Sequence, residues 1–223
     1  MPNQAPRDQL LSLLHQVLPQ AELTPNTLPG LPELQLWLLD PANLDRAFSS
    51  DETQRLLEHP PYWGFCWGSG LALARWILDH PEQVRGRRVL DFGSGSGVVA
   101  LACSAVGAAR SIACDLDNGA QLACALNAEL NGLPLELCDD YFVVQGELDL
   151  ILAADVLYDS ANRIFLDQFR HRAAEVLIAD SRVRDLQHPG YGKLATLQGQ
   201  TWPELGEPVE FRQVALYHSL PLT

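Results

Sequence analysis

The stretch Arg88-Val89-Leu90-Asp91-Phe92-Gly93-Ser94-Gly95-Ser96-Gly97-Val98-Val99-Ala100-Leu101 decides how the chain is read. A short apolar run ends in an acid, three glycines alternate with serines, and small apolar residues resume. That pattern predicts a buried strand, a tight turn and a helix that begins at the turn. Glycines let a backbone come close to a ligand, and a helix start presents unpaired N–H groups. Both suit a nucleotide-like ligand at the carboxyl end of a parallel strand. The spacing is G-x-G-x-G, not the G-x-G-x-x-G of a dinucleotide site. Asp91 at the strand end would repel a pyrophosphate and welcome an ammonium or sulfonium.

Working outward, strand and helix patterns alternate. Residues 111–115 read as a second strand that ends in Asp115, 24 positions after Asp91. That is the separation at which a strand-terminal acid grips ribose hydroxyls. Residues 118–130 are helical, and Asn131-Gly132 is a stop signal. Residues 133–137 form a third strand, closed by Asp139 and Asp140. Residues 149–154 form a fourth, which ends at Asp155-Val156-Leu157-Tyr158-Asp159. Residues 165–172 read as helix and 175–179 as a fifth strand, closed by Asp180-Ser181-Arg182. Residues 209–219 alternate well enough for a final edge strand. The alternation implies an α/β fold with a doubly wound parallel sheet. An acid at each of five strand ends lines one crevice, although Asp159 and Asp180 read equally well as helix N-caps.

Before the glycine stretch, residues 8–18 have helical periodicity, and residues 19–32 are too proline-broken for regular structure. Leu34, Leu36 and Leu38 alternate as a strand, and a polar segment with a short helix runs on to about residue 59. Tyr62, Trp63, Phe65 and Trp67 then crowd into six positions between prolines and glycines. They read either as a lid packed on the core or as an aromatic wall to a ligand cavity. Residues 71–78 continue as an amphipathic helix.

The 223 residues fit one domain, residues 61–223, with an N-terminal extension over residues 1–60. Fifteen basic against 28 acidic residues give a net charge of −13, which argues against nucleic acid or an anionic membrane as partner. No apolar run approaches the roughly 18 residues of a spanning helix. The first residues carry no signal or transit pattern, so a cytoplasmic protein is expected. The five cysteines form no C-x-x-C pair and have no histidine at ligand spacing, so buried free thiols and no metal are expected.

With these residues in view, the segment 67–159 resembles a class I methyltransferase that uses S-adenosyl-L-methionine. Residues 89–97 are similar to that superfamily's first motif, and Asp115 to its ribose-binding acid. Asp155-Val156-Leu157-Tyr158 resembles the D-x-x-Y element of methyltransferase family sixteen. Pro60-Pro61-Tyr62-Trp63 through Trp67, with Gly70-Leu71-Ala72-Leu73-Ala74-Arg75, is most similar to members that modify lysines of the electron-transfer flavoprotein β subunit. Two departures stand out. Trp67-Gly68-Ser69-Gly70 replaces an expected Trp-Pro-x-Gly, and Asp180-Ser181-Arg182-Val183 replaces an Asp-Pro-Gly-Arg-like turn.

The resemblance implies the Rossmann-like seven-stranded sheet of class I methyltransferases. It implies that Asp91 and Gly93 hold the methionine end of the cofactor, and that Gly95 and Gly97 permit its close approach. Asp115 would take the ribose hydroxyls, Asp139 or Asp140 would face the adenine, and Trp67 would cover the cofactor. Asp155 and Tyr158 would flank the acceptor amine, with Asp155 aligning the nitrogen more than acting as a strong base. The acceptor it implies is the flavoprotein β subunit, with a ribosomal protein or a small amine as alternative. A nicotinamide-dependent oxidoreductase and a non-catalytic adaptor that binds the cofactor are the rival functions.

Overall fold

The computed structural model describes residues 4–221. Leu10, Leu14 and Val17 bury one side of helix α1 (Gln4–Val17). The chain then turns through an antiparallel hairpin, β1 (Leu23–Leu28) and β2 (Leu31–Leu39). The expectation of irregular chain over residues 19–32 is corrected here. Pro25 is tolerated because β1 is an edge strand of a two-stranded sheet. Helix α2 (Ser50–Glu58) opens on a capping box in which Ser49 and Glu52 each accept the other's backbone N–H.

After the aromatic stretch come α3 (Gly68–Asp79), β3 (Arg88–Phe92), α4 (Val98–Ala105), β4 (Arg110–Cys114) and α5 (Asn118–Asn131). The chain goes on through β5 (Glu136–Cys138), β6 (Leu148–Ala154), α6 (Phe165–Arg172), β7 (Ala173–Asp180), β8 (Tyr191–Gln198) and β9 (Gln213–Ser219). These last seven strands form one sheet in the order β5-β4-β3-β6-β7-β9-β8. Strands β3 to β7 are parallel, and β9 runs antiparallel to both its neighbours. The order reverses at β3, so a crevice opens between the carboxyl ends of β3 and β6.

The final strand was expected at the edge, and it lies inside. Val214, Ala215, Leu216 and Tyr217 are consecutively buried, as a strand covered on both faces requires. The true edge is β8, whose half-exposed Tyr-Gly-Lys-Leu-Ala-Thr-Leu-Gln carries little strand pattern. The third strand starts later than expected because Pro134 interrupts the run. Leu133 and Leu135 pack under the sheet instead.

Leu150 and Leu152 of β6 meet α3 and α4 on one face, while Ile151 and Ala153 meet Phe169 of α6 on the other. Each fully buried leucine or isoleucine stabilises the fold by about 1.5–3 kcal/mol. A third cluster joins α1, Leu23 and Leu39 of the hairpin, Trp63, Phe65 and one side of α5. Among the described residues, no helix is long and apolar enough to cross a membrane.

Candidate functional site

The glycine stretch folds as strand, loop and helix. The N–H groups of Gly93 and Ser94 donate to the carbonyl of Cys114, 2.8 and 3.2 Å away, which ties the loop to the end of β4. Gly97 caps α4 at φ +81, and a Cβ there would stand 2.9 Å from the Cys124 sulfur. Gly95 also has positive φ, but a Cβ on it would meet nothing within 4 Å, because it faces open space. Asp115 braces this loop. Its Oδ2 accepts the Gly95 N–H at 2.9 Å and its Oδ1 the Asp117 N–H at 3.0 Å. Burial pushes the Asp115 carboxyl above its ordinary value, and those two N–H groups oppose the shift.

Gly93, Gly95 and Asp115 open onto a cavity of about 570 Å³ at the switch crevice, which Trp67, Asp140, Asp155 and Tyr158 also line. Asp91 and Gly97, expected at the ligand, sit beneath the loop instead. The Asp91 carboxylate is buried and accepts the Ala100 N–H at 3.1 Å, in the first turn of α4. Burial pushes its pKa up to about 7. Of the two adjacent acids, Asp140 borders the cavity and caps a short turn by accepting the Phe142 N–H at 2.8 Å. Asp139 points to a separate depression beside Asn118 and Gln121.

The aromatic stretch divides its labour, so both expected readings hold. Trp63 and Phe65 are buried against α5 and the hairpin, and Trp63 also borders the cavity. Tyr62 and Trp67 face the cavity with ring centroids 5.7 Å apart, and Tyr158 stands 6.3 Å from Tyr62. The cavity also has an aromatic floor of Phe92, Tyr141 and Phe165, which carried no signal in the sequence.

Asp155 follows β6 directly and adopts φ +51, the one non-glycine residue with positive φ among those described. Such a backbone persists where its surroundings over-determine it. Here Ser69 donates to the Asp155 carboxylate from its hydroxyl at 2.5 Å and its N–H at 3.0 Å, and the Ser181 hydroxyl donates at 3.1 Å. Burial raises the Asp155 pKa, the Ser69 hydroxyl lowers it, and the charge of Asp180 raises it further. Tyr158 is more than half exposed, and desolvation raises its pKa above the ordinary phenol value. Of the two acids that read as helix N-caps, Asp159 caps the short 3-10 helix Ser160–Ile164 by accepting the Ala161 N–H. No helix follows Asp180, which braces a turn by accepting the N–H groups of Arg182 and Val183.

Sequence reasoning missed Ser69 and Ser181. The one available signal was their hydroxyl chemistry at the two places where the family pattern is broken. All five cysteines are free thiols. Among the described residues, no group of three or more His, Cys, Asp or Glu side chains is placed to hold a metal ion.

Residues 73–178 match the family model of ribosomal protein L11 methyltransferase (PrmA). The electron transfer flavoprotein beta subunit lysine methyltransferase of Mus musculus is 38% identical over 157 residues, which cover 67% of this chain and 60% of that protein. The protein of the same name from Xenopus laevis is 36% identical over 170 residues, covering 72% of this chain and 68% of that protein. The chain thus spans 60% of the length of its mouse relative. Among solved structures, the ribosomal protein L11 methylase from Lactobacillus delbrueckii subsp. bulgaricus aligns with a TM-score of 0.52 at 20% identity. That alignment covers 79% of this chain and 82% of the other. It shows a shared fold.

Proposed function

The chain belongs to the family of electron transfer flavoprotein β subunit lysine methyltransferases, and on that premise we propose that it methylates lysine side chains of a protein, using S-adenosylmethionine, with the flavoprotein β subunit as acceptor. Its mostly parallel seven-stranded sheet is that of the class I methyltransferases.

The residues of the crevice fit this cofactor. Each oxygen of Asp115 has accepted one N–H, which leaves acceptor capacity on both for a pair of ribose hydroxyls. The open space at Gly95 admits the ligand to the loop backbone. Asp140 and the aromatic floor would receive the adenine, Gly93 would line the methionine end, and Trp67 would cover the whole. Asp91 would act from below, by holding the start of α4 under the loop. When bound, S-adenosylmethionine would supply an activated methyl group on a sulfonium.

The observation that carries the reading is the fixed carboxylate of Asp155 beside Tyr158 in an aromatic-walled cavity. A lysine amine has a pKa of about 10.4 in water and carries no free lone pair at pH 7. Tyr62, Trp67 and Phe165 would desolvate it and so favour the neutral form. Asp155, held rigidly by Ser69 and Ser181, would orient the nitrogen and stabilise the ammonium product. Its role is alignment, so it contributes through positioning.

Purified protein, labelled cofactor and the flavoprotein, with β subunit lysines replaced by arginine in turn, test the reading. Label should appear on that subunit and vanish with one or a few lysines. Asp155→Asn should reduce turnover far more than cofactor affinity. The L11 methyltransferase match over residues 73–178 favours a ribosomal protein as second acceptor. Label on that protein alone would overturn the flavoprotein assignment and leave methyl transfer standing.

A further inference from the structure

Between β8 and β9, residues 199–208 carry no clear pattern in the sequence, and residues 209–212, expected to begin the last strand, form a short 3-10 turn instead. Thr201, Glu207 and Phe211 of this segment line the cavity. Arg182, from the turn after β7, joins them there. The lining holds six carboxylates, and Arg182 is its single basic side chain among the described residues. That guanidinium lies 4.5 Å over the Phe211 ring and 3.5 Å from Glu207 Oε1. Glu207 is itself held in place. The Thr201 hydroxyl donates to its Oε2 at 2.5 Å and accepts the Gly68 N–H at 3.2 Å. Gly68 precedes Ser69, and Ser181 precedes Arg182; both serines donate to Asp155. The Glu207–Phe211 pair and Asp155 therefore stand on one hydrogen-bonded frame.

An aromatic face backed by a carboxylate attracts organic cations through the ring quadrupole and the charge. Arg182 is 45% exposed there, so the pair adds little to stability and can be exchanged for an incoming cation. We infer that Glu207 and Phe211 form a second acceptor subsite, which takes a lysine or arginine side chain next to the target lysine of the protein acceptor. Arg182 fills that subsite in the free protein as an internal stand-in. This rests on the reading of the chain as a protein-lysine methyltransferase. It explains why a cavity so rich in carboxylates carries a single base, and it makes the subsite a determinant of acceptor choice.

Calorimetry on the full chain loaded with S-adenosylhomocysteine tests this with two short peptides, one with its lysine flanked by arginines and one with it flanked by glutamines. The arginine-flanked peptide should bind roughly three- to tenfold more tightly, the scale of one partly exposed ion pair with a cation–π contact. Glu207→Gln should erase that difference, Phe211→Tyr should keep it, and Arg182→Ala should widen it. With the flavoprotein as acceptor, Arg182→Ala should lower KM and Glu207→Gln raise it, with kcat little changed in either. Equal binding of the two peptides, no measurable binding of either, or a raised KM in Arg182→Ala overturns the inference. S-adenosylhomocysteine is titrated separately. Its failure to bind would remove the methyltransferase reading itself, whereas its binding with indifferent peptides would remove only the subsite.

Discussion

Ser69 gives both its backbone N–H and its hydroxyl to the carboxylate of Asp155, at 3.0 and 2.5 Å. This pairing locks the first turn of α3 to the carboxyl end of β6 and holds Asp155 in its left-handed backbone conformation. Ser69→Ala removes one of those donors from a buried carboxylate, a loss of about 1–3 kcal/mol when the group keeps its charge. The expected outcome is a turnover at least ~10-fold lower, because a misplacement of the aligning group is amplified in the rate. Affinity for S-adenosylhomocysteine should stay within about twofold, since the Ser69 hydroxyl and N–H bond to Asp155 and not to the glycine loop. Single-turnover kinetics beside calorimetry reads the two separately, and equal loss in both would refute the assignment.

Asp115 is expected to carry cofactor affinity. Charge-assisted hydrogen bonds are worth about 1.5–3 kcal/mol each, so Asp115→Ala, which loses two to the ribose, should weaken binding by orders of magnitude. Gly95 and Asp117 would also lose their N–H acceptor, so Asp115→Asn, which still accepts, should fall between the two. Circular dichroism checks that the fold survives. Unchanged affinity in the alanine variant would remove the ribose role.

Asp91 should leave a signature in stability against pH. Its ordinary pKa of 3.8 rises to about 7 in the fold, so the native state binds a proton that the unfolded state has released between those values. Stability therefore falls as pH rises through that window. Asp91→Asn keeps an oxygen for the Ala100 N–H and removes the titration. The variant should gain on the native protein as pH rises from about 5 to 8, and each kcal/mol gained is worth about 2–4 °C in Tm. Thermal unfolding at several pH values measures the difference curve. A flat one would show that burial does not hold this proton.

Much of this was legible locally. The run of β3, the glycine loop, the C-terminal stop of α5 at Gly132 and the span of α6 follow from periodicity and turn chemistry within a dozen residues. What escaped was non-local. Strand β8 lacks a pattern of its own and exists because β9 offers it a partner. The inward position of β9 depends on the antiparallel pairing with β7, which no short window encodes. The same division runs through the site. Asp115 and Asp140 follow from strand ends, whereas Ser69 and Ser181 reach Asp155 across 86 and 26 positions. Asp91 and Asp139 show the limit of strand-end reasoning, since a terminal acid also points away from the crevice when the pleat turns it.

The N-terminal hairpin meets the glycine loop through one buried side chain, Asn127 of α5. Its Oδ1 accepts the Trp37 N–H of β2 at 2.7 Å, and its amide donates to the Ser96 carbonyl at 2.9 Å. Both functions of the amide are used, so the two nearest substitutions fail differently. Asn127→Ala leaves a buried N–H and a buried carbonyl unpaired, at about 1–3 kcal/mol each. Asn127→Asp keeps the acceptor for Trp37 and sets a second oxygen against the Ser96 carbonyl, so it should disturb the loop more than the hairpin. The aspartate variant should therefore lose cofactor affinity out of proportion to its loss of stability, and more so as pH rises and the carboxylate ionises. Chemical denaturation and cofactor calorimetry at pH 6 and 8 measure the two effects. Loss of stability with native affinity in both variants would show that the hairpin braces the fold without positioning the loop.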